Sequence, residues 1–415
     1  EIGVRLVGSE MCIRDRFLSV AVASAMVMAM AGCGNTDNGS AATGTNAATE
    51  SAAASDSAAS GSVFKIGGIG PTTGGAAVYG LAVQHGAEIA VEEINAAGGI
   101  NGYQVEFKFQ DDEADAEKSV NAYNALKDWG AQIIDGSTTS GACIAVTDKT
   151  KEDNMFQITP SGSAVECVQY DNNFRVCFSD PNQGLASAQY IGENGLAEKI
   201  AVIYDSSDVY SSGIYEKFAK EAENQPFEIV AAEAFTADNK TDFSVQLQKA
   251  KDAGADMVFL PIYYQESALI LTQAAAMGYA PKWFSCDGMD GILGGVDNFD
   301  VSLTEGVMLL TPFAADATDD LTQSFVTKYK EKYGDTPNQF AADSYDAIYV
   351  IKAAIEKSGV TPDMSVSDIC DGMKAAMTEI TVDGLTGSGM TWTADGEANK
   401  APKAVVIENG AYKAM

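Results

Sequence analysis

Arginine and histidine are nearly missing from this chain. Of 415 residues, four are arginines (Arg5, Arg14, Arg16 and Arg175) and one is a histidine, His85. A single histidine excludes a multi-histidine zinc site and leaves no spare imidazole for a Ser–His–Asp triad. One arginine after residue 16 leaves almost no means of clamping phosphate or carboxylate with a guanidinium fork. Positive charge is scarce altogether: 26 lysines and arginines stand against 58 acids, for a net charge of −32. Nucleic acid and anionic lipid both require clustered cations, so neither is an expected partner. No two cysteines are spaced as CxxC, which leaves a zinc ribbon or a thioredoxin-like motif without support. What is there is a large apolar share, 46%, in a length that suits two to three domains.

The first 62 residues do not read as fold. Residues 17–32, from Phe17 to Gly32, are apolar or small, and Arg14 and Arg16 precede them. A cationic start and an apolar run of this length match an export signal, being too short for a comfortable membrane span. The run ends in Met30-Ala31-Gly32-Cys33, which resembles a bacterial lipobox with Cys33 as the lipidated new N-terminus. Met30 departs from the leucine usual at its position. Residues 1–16 match no element, which leaves open whether they belong to the natural product. Residues 34–62 are almost entirely Ala, Ser, Thr, Gly, Asn and Asp, too polar and small to bury a core. As a flexible coil such a segment spans roughly 30 Å. The expectation is signal (1–32), then lipidated cysteine and tether (33–62).

From Val63 onward, short apolar runs alternate with longer amphipathic stretches. Strands are expected at Val63–Ile69, Gln104–Gln110, Ala131–Asp135, Phe156–Thr159 and Phe174–Phe178, with helices at Gly80–Ala97, Asp115–Trp129 and Gly141–Asn154. A second set follows: strands at Lys199–Tyr204, Phe227–Ala234, Met257–Pro261 and Lys282–Ser285, helices at Gly213–Asn224, Phe243–Ala253 and Gln265–Met277. Such alternation implies an α/β fold with mostly parallel sheets, here two doubly wound lobes. Ligands of such sheets bind at the carboxyl ends of the strands, so the turns there carry the functional reading.

The glycine-rich stretch Gly67–Gly75 is not a dinucleotide fingerprint, because Thr73 stands where the third glycine belongs, and no phosphate-binding P-loop occurs. No cofactor is expected. Gly136-Ser-Thr-Thr-Ser-Gly141 and Thr159-Pro-Ser-Gly-Ser163 are hydroxyl-rich turns after neighbouring strands. Each alone reads equally as simple helix capping. Together, with free backbone N–H groups, they can receive a carboxylate without arginine. The second set offers the complement. Tyr210, Tyr263, Tyr264 and Asp287 follow its strands, and aromatic rings with one acid can hold an ammonium. For the tyrosines the plainer alternative is packing at a lobe edge, and for Asp287 an Asp-Gly turn. Cys167 and Cys177 flank a turn-like Tyr170–Asn173 and either bridge in an oxidising compartment or stand as two separate buried thiols.

Several segments now resemble a known family. Ile66 followed by Gly74-Gly-Ala-Ala-Val-Tyr79-Gly80, then Glu92-Glu-Ile-Asn-Ala-Ala-Gly-Gly-Ile-Asn-Gly102 and Asp111-Asp112, are similar to the branched-chain amino-acid substrate-binding proteins of ABC importers. Ile158-Thr159-Pro160-Ser161, Asp180-Pro-Asn-Gln-Gly184 and Thr391-Trp392 support the likeness, which runs from about Val63 to Met415. The resemblance implies a type I periplasmic-binding-protein fold: two Rossmann-like lobes joined by a three-stranded hinge, with lobe 1 at 63–181 and 312–384 and lobe 2 at 182–311 and 385–415. It also implies roles. Tyr79 lies beside the ligand; Thr139 and Ser140 receive its α-carboxylate, helped by Ser161 and Ser163. Tyr210 and Tyr263 close over it from the second lobe, Asp287 pairs with the α-ammonium, and Phe340 lines the side-chain pocket. Family members commonly have glutamate where Asp287 stands, so ligand size stays open.

The function implied is capture of a small amino acid, leucine-, isoleucine- or valine-like, and its delivery to a membrane permease. The protein would be a monomeric lipoprotein on the outer face of the bacterial cytoplasmic membrane. Alternatives are another amino acid, an amide or a small carboxylate, and a sensing ectodomain feeding a receptor. An enzyme would have to use Asp287 or Cys286.

Overall fold

The computed structural model describes residues 61–415; the expected signal, lipidated Cys33 and most of the tether fall outside the described residues. The first sheet is built from β1 (Phe64–Gly70), β2 (Val105–Asp111), β3 (Ile133–Asp135), β4 (Phe156–Thr159) and β5 (Asn173–Arg175). All its pairings are parallel, in the order β2-β1-β3-β4-β5. Between these strands run α1 (Ala77–Ala96), α2 (Ala116–Trp129) and α3 (Ser140–Asp153). Then come α4 (Asp180–Glu193), β6 (Lys199–Asp205), α5 (Val209–Ala222), β7 (Glu228–Phe235), α6 (Ser244–Asp252), β8 (Met257–Leu260), α7 (Tyr264–Ala276), β9 (Lys282–Ser285) and β10 (Met308–Thr311). The chain ends with α8 (Asp320–Tyr333), α9 (Gln339–Ser358), α10 (Val366–Met377), β11 (Lys403–Glu408) and β12 (Ala411–Ala414). The second sheet has the order β12-β11-β10-β9-β8-β6-β7. It is parallel except where β11 and β12 pair antiparallel at one edge.

Burial follows the parallel-sheet pattern. β1 carries Ile66 and Ile69 and β8 reads Met-Val-Phe-Leu, all fully buried, because helices cover both faces of each sheet. Helix ends obey local rules. Asp115 caps α2 by accepting from the N–H groups of Glu117 and Lys118, and Gly130 closes it in the left-handed conformation.

The chain passes between the sheets three times. After β5 it enters α4, which packs on α5 of the second lobe; after β10 it returns to α8 and α9, which pack on α1; after α10 it crosses again to β11. Helix α4 holds its place by close approach: a Cβ on Gly184 would stand 2.4 Å from the carbonyl oxygen of Ile214. The last crossing is pinned by Asp346, whose carboxylate accepts from the N–H groups of Leu385 (2.8 Å) and Thr386 (2.9 Å). Near it a buried pair joins Lys400 to Asp343 at 2.6 Å. Among the described residues no helix is long and apolar enough to cross a membrane.

Four readings need correction. The fifth strand is three residues long, not five, because the chain turns toward the α4 start at Ser179. The strand expected to end at Tyr204 continues to Asp205, and the helix expected from Gly213 starts at Val209, capped by Asp208. Tyr264 likewise opens α7 instead of belonging to a loop. Cys167 and Cys177 are free thiols, as are the other three described cysteines. The sulfur of Cys167 points back to the carbonyl oxygen of Ser140 at 3.7 Å and packs against Cys143, so its neighbour is Cys143 and not Cys177.

Candidate ligand-binding site between the lobes

The carboxyl ends of β3 and β4 lie side by side, and the turns after them face one small cavity. Thr139 precedes α3, Ser140 opens it, and Ser161 and Ser163 follow β4. The Ser140 hydroxyl ties the two turns together by accepting from the N–H groups of Ser163 and Ala164, each at 3.1 Å. Arg175 braces the second turn from behind. Fully buried, its guanidinium donates to the carbonyls of Ser163 (2.5 Å), Ala164 (2.8 Å) and Gly162 (3.3 Å). Its own carbonyl accepts from the Trp392 indole at 2.8 Å. That leaves the Thr139 hydroxyl buried with no hydrogen-bond partner among the described residues, and the Ser163 hydroxyl beside the Asp180 carboxyl.

Across the cavity stand groups from the second lobe. Tyr210 reaches it from α5, Tyr263 precedes α7, and Asp287 lies just after β9. The Tyr210 phenol donates to Asp287 Oδ1 at 2.6 Å, and the N–H of Gly288 donates to the same oxygen at 2.8 Å. Gln183 accepts from the Asp287 N–H at 3.3 Å, and the Gln339 amide donates to the Asp287 carbonyl at 3.0 Å. Burial pushes the Asp287 carboxyl up to about 6, against the opposing hydrogen bonds from Tyr210, Gln183 and Gly288. Burial likewise raises Asp180 well above the usual carboxylate range, against a hydrogen bond from the Ser163 hydroxyl.

The lobes touch here. Tyr79, in α1, donates its phenol to the carbonyl of Gly288 and accepts from the N–H of Tyr264 at 3.2 Å. Its ring meets Phe340 at 4.4 Å and Tyr263 at 5.4 Å between centroids, and Tyr263 stacks on Tyr210 at 5.1 Å. The space they enclose is small, about 230 Å³ counted out to solvent. Tyr79, Thr139, Ser140, Ser161, Ser163, Tyr210, Tyr263, Asp287 and Phe340, the nine residues to which the resemblance gives roles, line it, whereas Tyr264 does not. So do Thr138 and Gly288, which sequence reasoning passed over. Gln183 and Gln339 were also missed, since nothing local marks a glutamine that supports an acid from another element. Thr139 and Tyr263 form the inner wall of a wider outer chamber, about 970 Å³ counted out to solvent, with Asp205, Asp208 and Glu266 on its sides.

Two parallel-sheet lobes with a closed polar cavity between them define a bilobal solute-binding fold. The chain belongs to the periplasmic binding protein family, whose profile matches residues 63–411. It is 31% identical over 300 residues to "Leu/Ile/Val-binding protein homolog 3" of Brucella melitensis, covering 72% of this chain and 80% of that one. It is 30% identical over 302 residues to the "Leucine-, isoleucine-, valine-, threonine-, and alanine-binding protein" of Pseudomonas aeruginosa, covering 71% and 78%. The crystal structure of the branched-chain amino-acid transporter substrate-binding protein LivJ from Streptococcus pneumoniae, in complex with isoleucine, superposes with a TM-score of 0.76 at 29% identity. That match covers 85% of this chain and 98% of LivJ. The leucine-binding protein LivK of Thermotoga maritima gives 0.75 at 28% identity, over 85% and 98%.

Proposed function

We propose that the protein captures one small amino acid, of the leucine, isoleucine or valine kind, and hands it to the permease of an ABC importer. The observation that carries this reading is the pairing of opposites across one cavity. The unpartnered Thr139 hydroxyl and the turn around Ser163 lie on the first lobe, and a buried acid held by a phenol lies on the second. A zwitterion satisfies both at once. Its carboxylate takes hydrogen bonds from Thr139, Ser163 and the N–H groups of the turn, and its ammonium pairs with Asp287. Tyr79, Tyr263 and Phe340 then surround the side chain.

Nothing in this arrangement calls for a nucleophile or a metal, so the reading is binding without chemistry. Closure of the lobes brings Tyr210, Tyr263 and Asp287 onto a ligand already seated on the first lobe and expels water. Lobe 1 comprises 63–181 and 312–384 in this reading, and lobe 2 comprises 182–311 and 385–415. The protein acts as a monomer outside the cytoplasmic membrane, tethered by a lipid on Cys33, so that the closed form stays near the permease. The test is a thermal-shift panel of the twenty amino acids. Leucine, isoleucine or valine at millimolar level should raise the melting temperature, and no shift with any of them would defeat the reading.

A further inference from the structure

Asp180 is a buried acid that the binding reading leaves unused. It stands in the first turn of α4, where the chain first crosses between the lobes, and it is 1% exposed. Its backbone N–H donates to the Ser163 carbonyl at 2.9 Å, and its carboxyl meets the Ser163 hydroxyl. On its other side lies α5 of the second lobe: a Cβ on Gly213 would stand 3.3 Å from the Cβ of Asp180. Three residues on, Gln183 supports Asp287. One turn of α4 thus serves both poles of the inner cavity, Ser163 through Asp180 and Asp287 through Gln183.

Ser163 is free to turn only its hydroxyl. Its N–H is fixed on Ser140 Oγ at 3.1 Å, and its carbonyl receives Arg175 as well as Asp180. A serine hydroxyl has one hydrogen to give. An ionised Asp180 can only accept, so it would take that hydrogen and leave the Ser163 lone pairs toward the cavity. A ligand carboxylate seated there would face those lone pairs, with a second negative charge behind them. A protonated Asp180 reverses the direction. Its O–H donates to Ser163 Oγ, and the Ser163 hydrogen is left for the ligand.

The surroundings favour the proton. Among the described residues no backbone N–H, ammonium or guanidinium donates to the Asp180 carboxyl. Asp287 after β9 and Asp208 before α5 repel a negative charge on it, and Arg175 of β5 opposes them through space. Tyr263, Cys167 and Cys286, near enough to feel that charge, are themselves held neutral by burial. The groove behind Asp180 carries Glu166, Glu216, Lys217 and Lys220, two charges of each sign. Burial outweighs the rest and lifts the carboxyl well above the usual carboxylate range.

We propose that Asp180 is a positioning residue: its carboxyl is protonated, donates that O–H to Ser163 Oγ, and so aims the Ser163 hydrogen at the carboxylate of the ligand. A ligand carboxylate adds a like charge nearby, so binding selects the protonated form further. The aim at a ligand rests on the amino-acid reading of the inner cavity; the proton on Asp180 and its bond to Ser163 do not.

The test is infrared spectroscopy of the full chain in detergent, saturated with leucine at pH 7.5, read as the difference between wild type and Asp180→Asn. One protonated-carboxyl band should be present in wild type and missing from Asp180→Asn. Ser163→Ala should shift that band, because the O–H loses its acceptor. Raising the pH until the band fades should weaken leucine binding in step, by up to about tenfold per unit. Asp180→Asn, whose amide keeps donating to Ser163, should lack that part of the weakening. Absence of the band, or a band that Ser163→Ala leaves in place, overturns the proposal; so does leucine affinity that ignores the loss of the band. Should leucine not bind, the same spectra are taken on ligand-free protein. A band there that meets both criteria keeps the proton and its bond to Ser163 while the amino-acid reading fails by itself, and no band overturns the proton as well.

Discussion

The Tyr210 phenol donates to Asp287 Oδ1 across 2.6 Å, joining α5 to the turn after β9 inside the second lobe. The bond favours the ionised carboxylate in a place where burial favours the neutral one. An ammonium arriving opposite Asp287 finds an acid already oriented. Asp287→Ala should weaken leucine binding by about 2–5 kcal/mol, because the ligand's charge would be buried unpaired. Tyr210→Phe should cost less, about 1–2 kcal/mol, since it removes one supporting hydrogen bond. Calorimetric titration of the two variants checks the order; equal affinity in wild type and Asp287→Ala would show that no ion pair forms.

The raised carboxyl gives two pH dependences of opposite sense. In the ligand-free protein Asp287 titrates at about 6, against an ordinary value of 3.8. Ammonium binding needs the ionised form, so leucine affinity should fall as pH drops below about 6, approaching tenfold per unit. Stability runs the other way. The folded state holds this proton more tightly than the unfolded chain, so the acid costs nothing below pH 3.8 and its full penalty above about 6. Asp287→Asn should therefore stabilise the ligand-free protein by about 3 kcal/mol at pH 7.5 and by little at pH 4. Urea midpoints at the two pH values measure this.

Thr139 keeps a buried hydroxyl unpartnered among the described residues, which a purely structural role would not explain, while the Ser163 hydroxyl hydrogen-bonds Asp180. Thr139→Val should leave the ligand-free melting temperature unchanged or higher, and Ser163→Ala should lower it slightly. Each should weaken leucine binding by about 1 kcal/mol. Loss of stability with unchanged binding would make them structural.

Arg175 is structural in its reach and functional in its effect. It spans three carbonyls of the turn that carries Ser163, and its own carbonyl holds Trp392 at the last crossing. Arg175→Met should lower stability by about 3–5 kcal/mol by removing these buried charge-assisted hydrogen bonds together with the ion pair to Glu397 at 3.4 Å. A urea midpoint within error of wild type would contradict this.

The five described cysteines are free and buried. Denatured, unreduced protein of residues 62–415 should take up five alkyl labels by mass spectrometry, and native protein almost none. Three labels would restore a disulfide.

The legible part of the fold was the part with local rhythm. Val63–Ile69 and Gly80–Ala97 differ from β1 and α1 by at most three residues at an end, because β-branched runs and paired glycines punctuate them. Helix α4 was not legible. It begins Asp-Pro-Asn-Gln-Gly, turn chemistry by itself, and forms because Gly184 fits against Ile214 of α5. Nor were α8 to α10 read as elements, although α9 supplies Phe340. The hydroxyl turns and second-lobe tyrosines of the proposed site stood out because they sit at strand ends, whereas Tyr79 and Phe340 were placed only by the resemblance. Their glutamine supports were not, since Gln183 and Gln339 meet Asp287 only through tertiary packing. Of the two alternatives for Cys167 and Cys177, a bridge rested on spacing in sequence alone; the structure has two separate buried thiols, with Cys167 packed against Cys143.

The account's central claim is that one zwitterion bridges the hydroxyl turns of the first lobe and Asp287 of the second. Its most direct measurement is calorimetric titration of residues 62–415 with leucine and with two truncated analogues: isoamylamine, which lacks the carboxylate, and isocaproic acid, which lacks the amine. Leucine should bind in a single saturable step, and each analogue at least about a hundredfold more weakly, since either truncation leaves a buried polar group unpaired. Isocaproic acid or isoamylamine binding as tightly as leucine would contradict it.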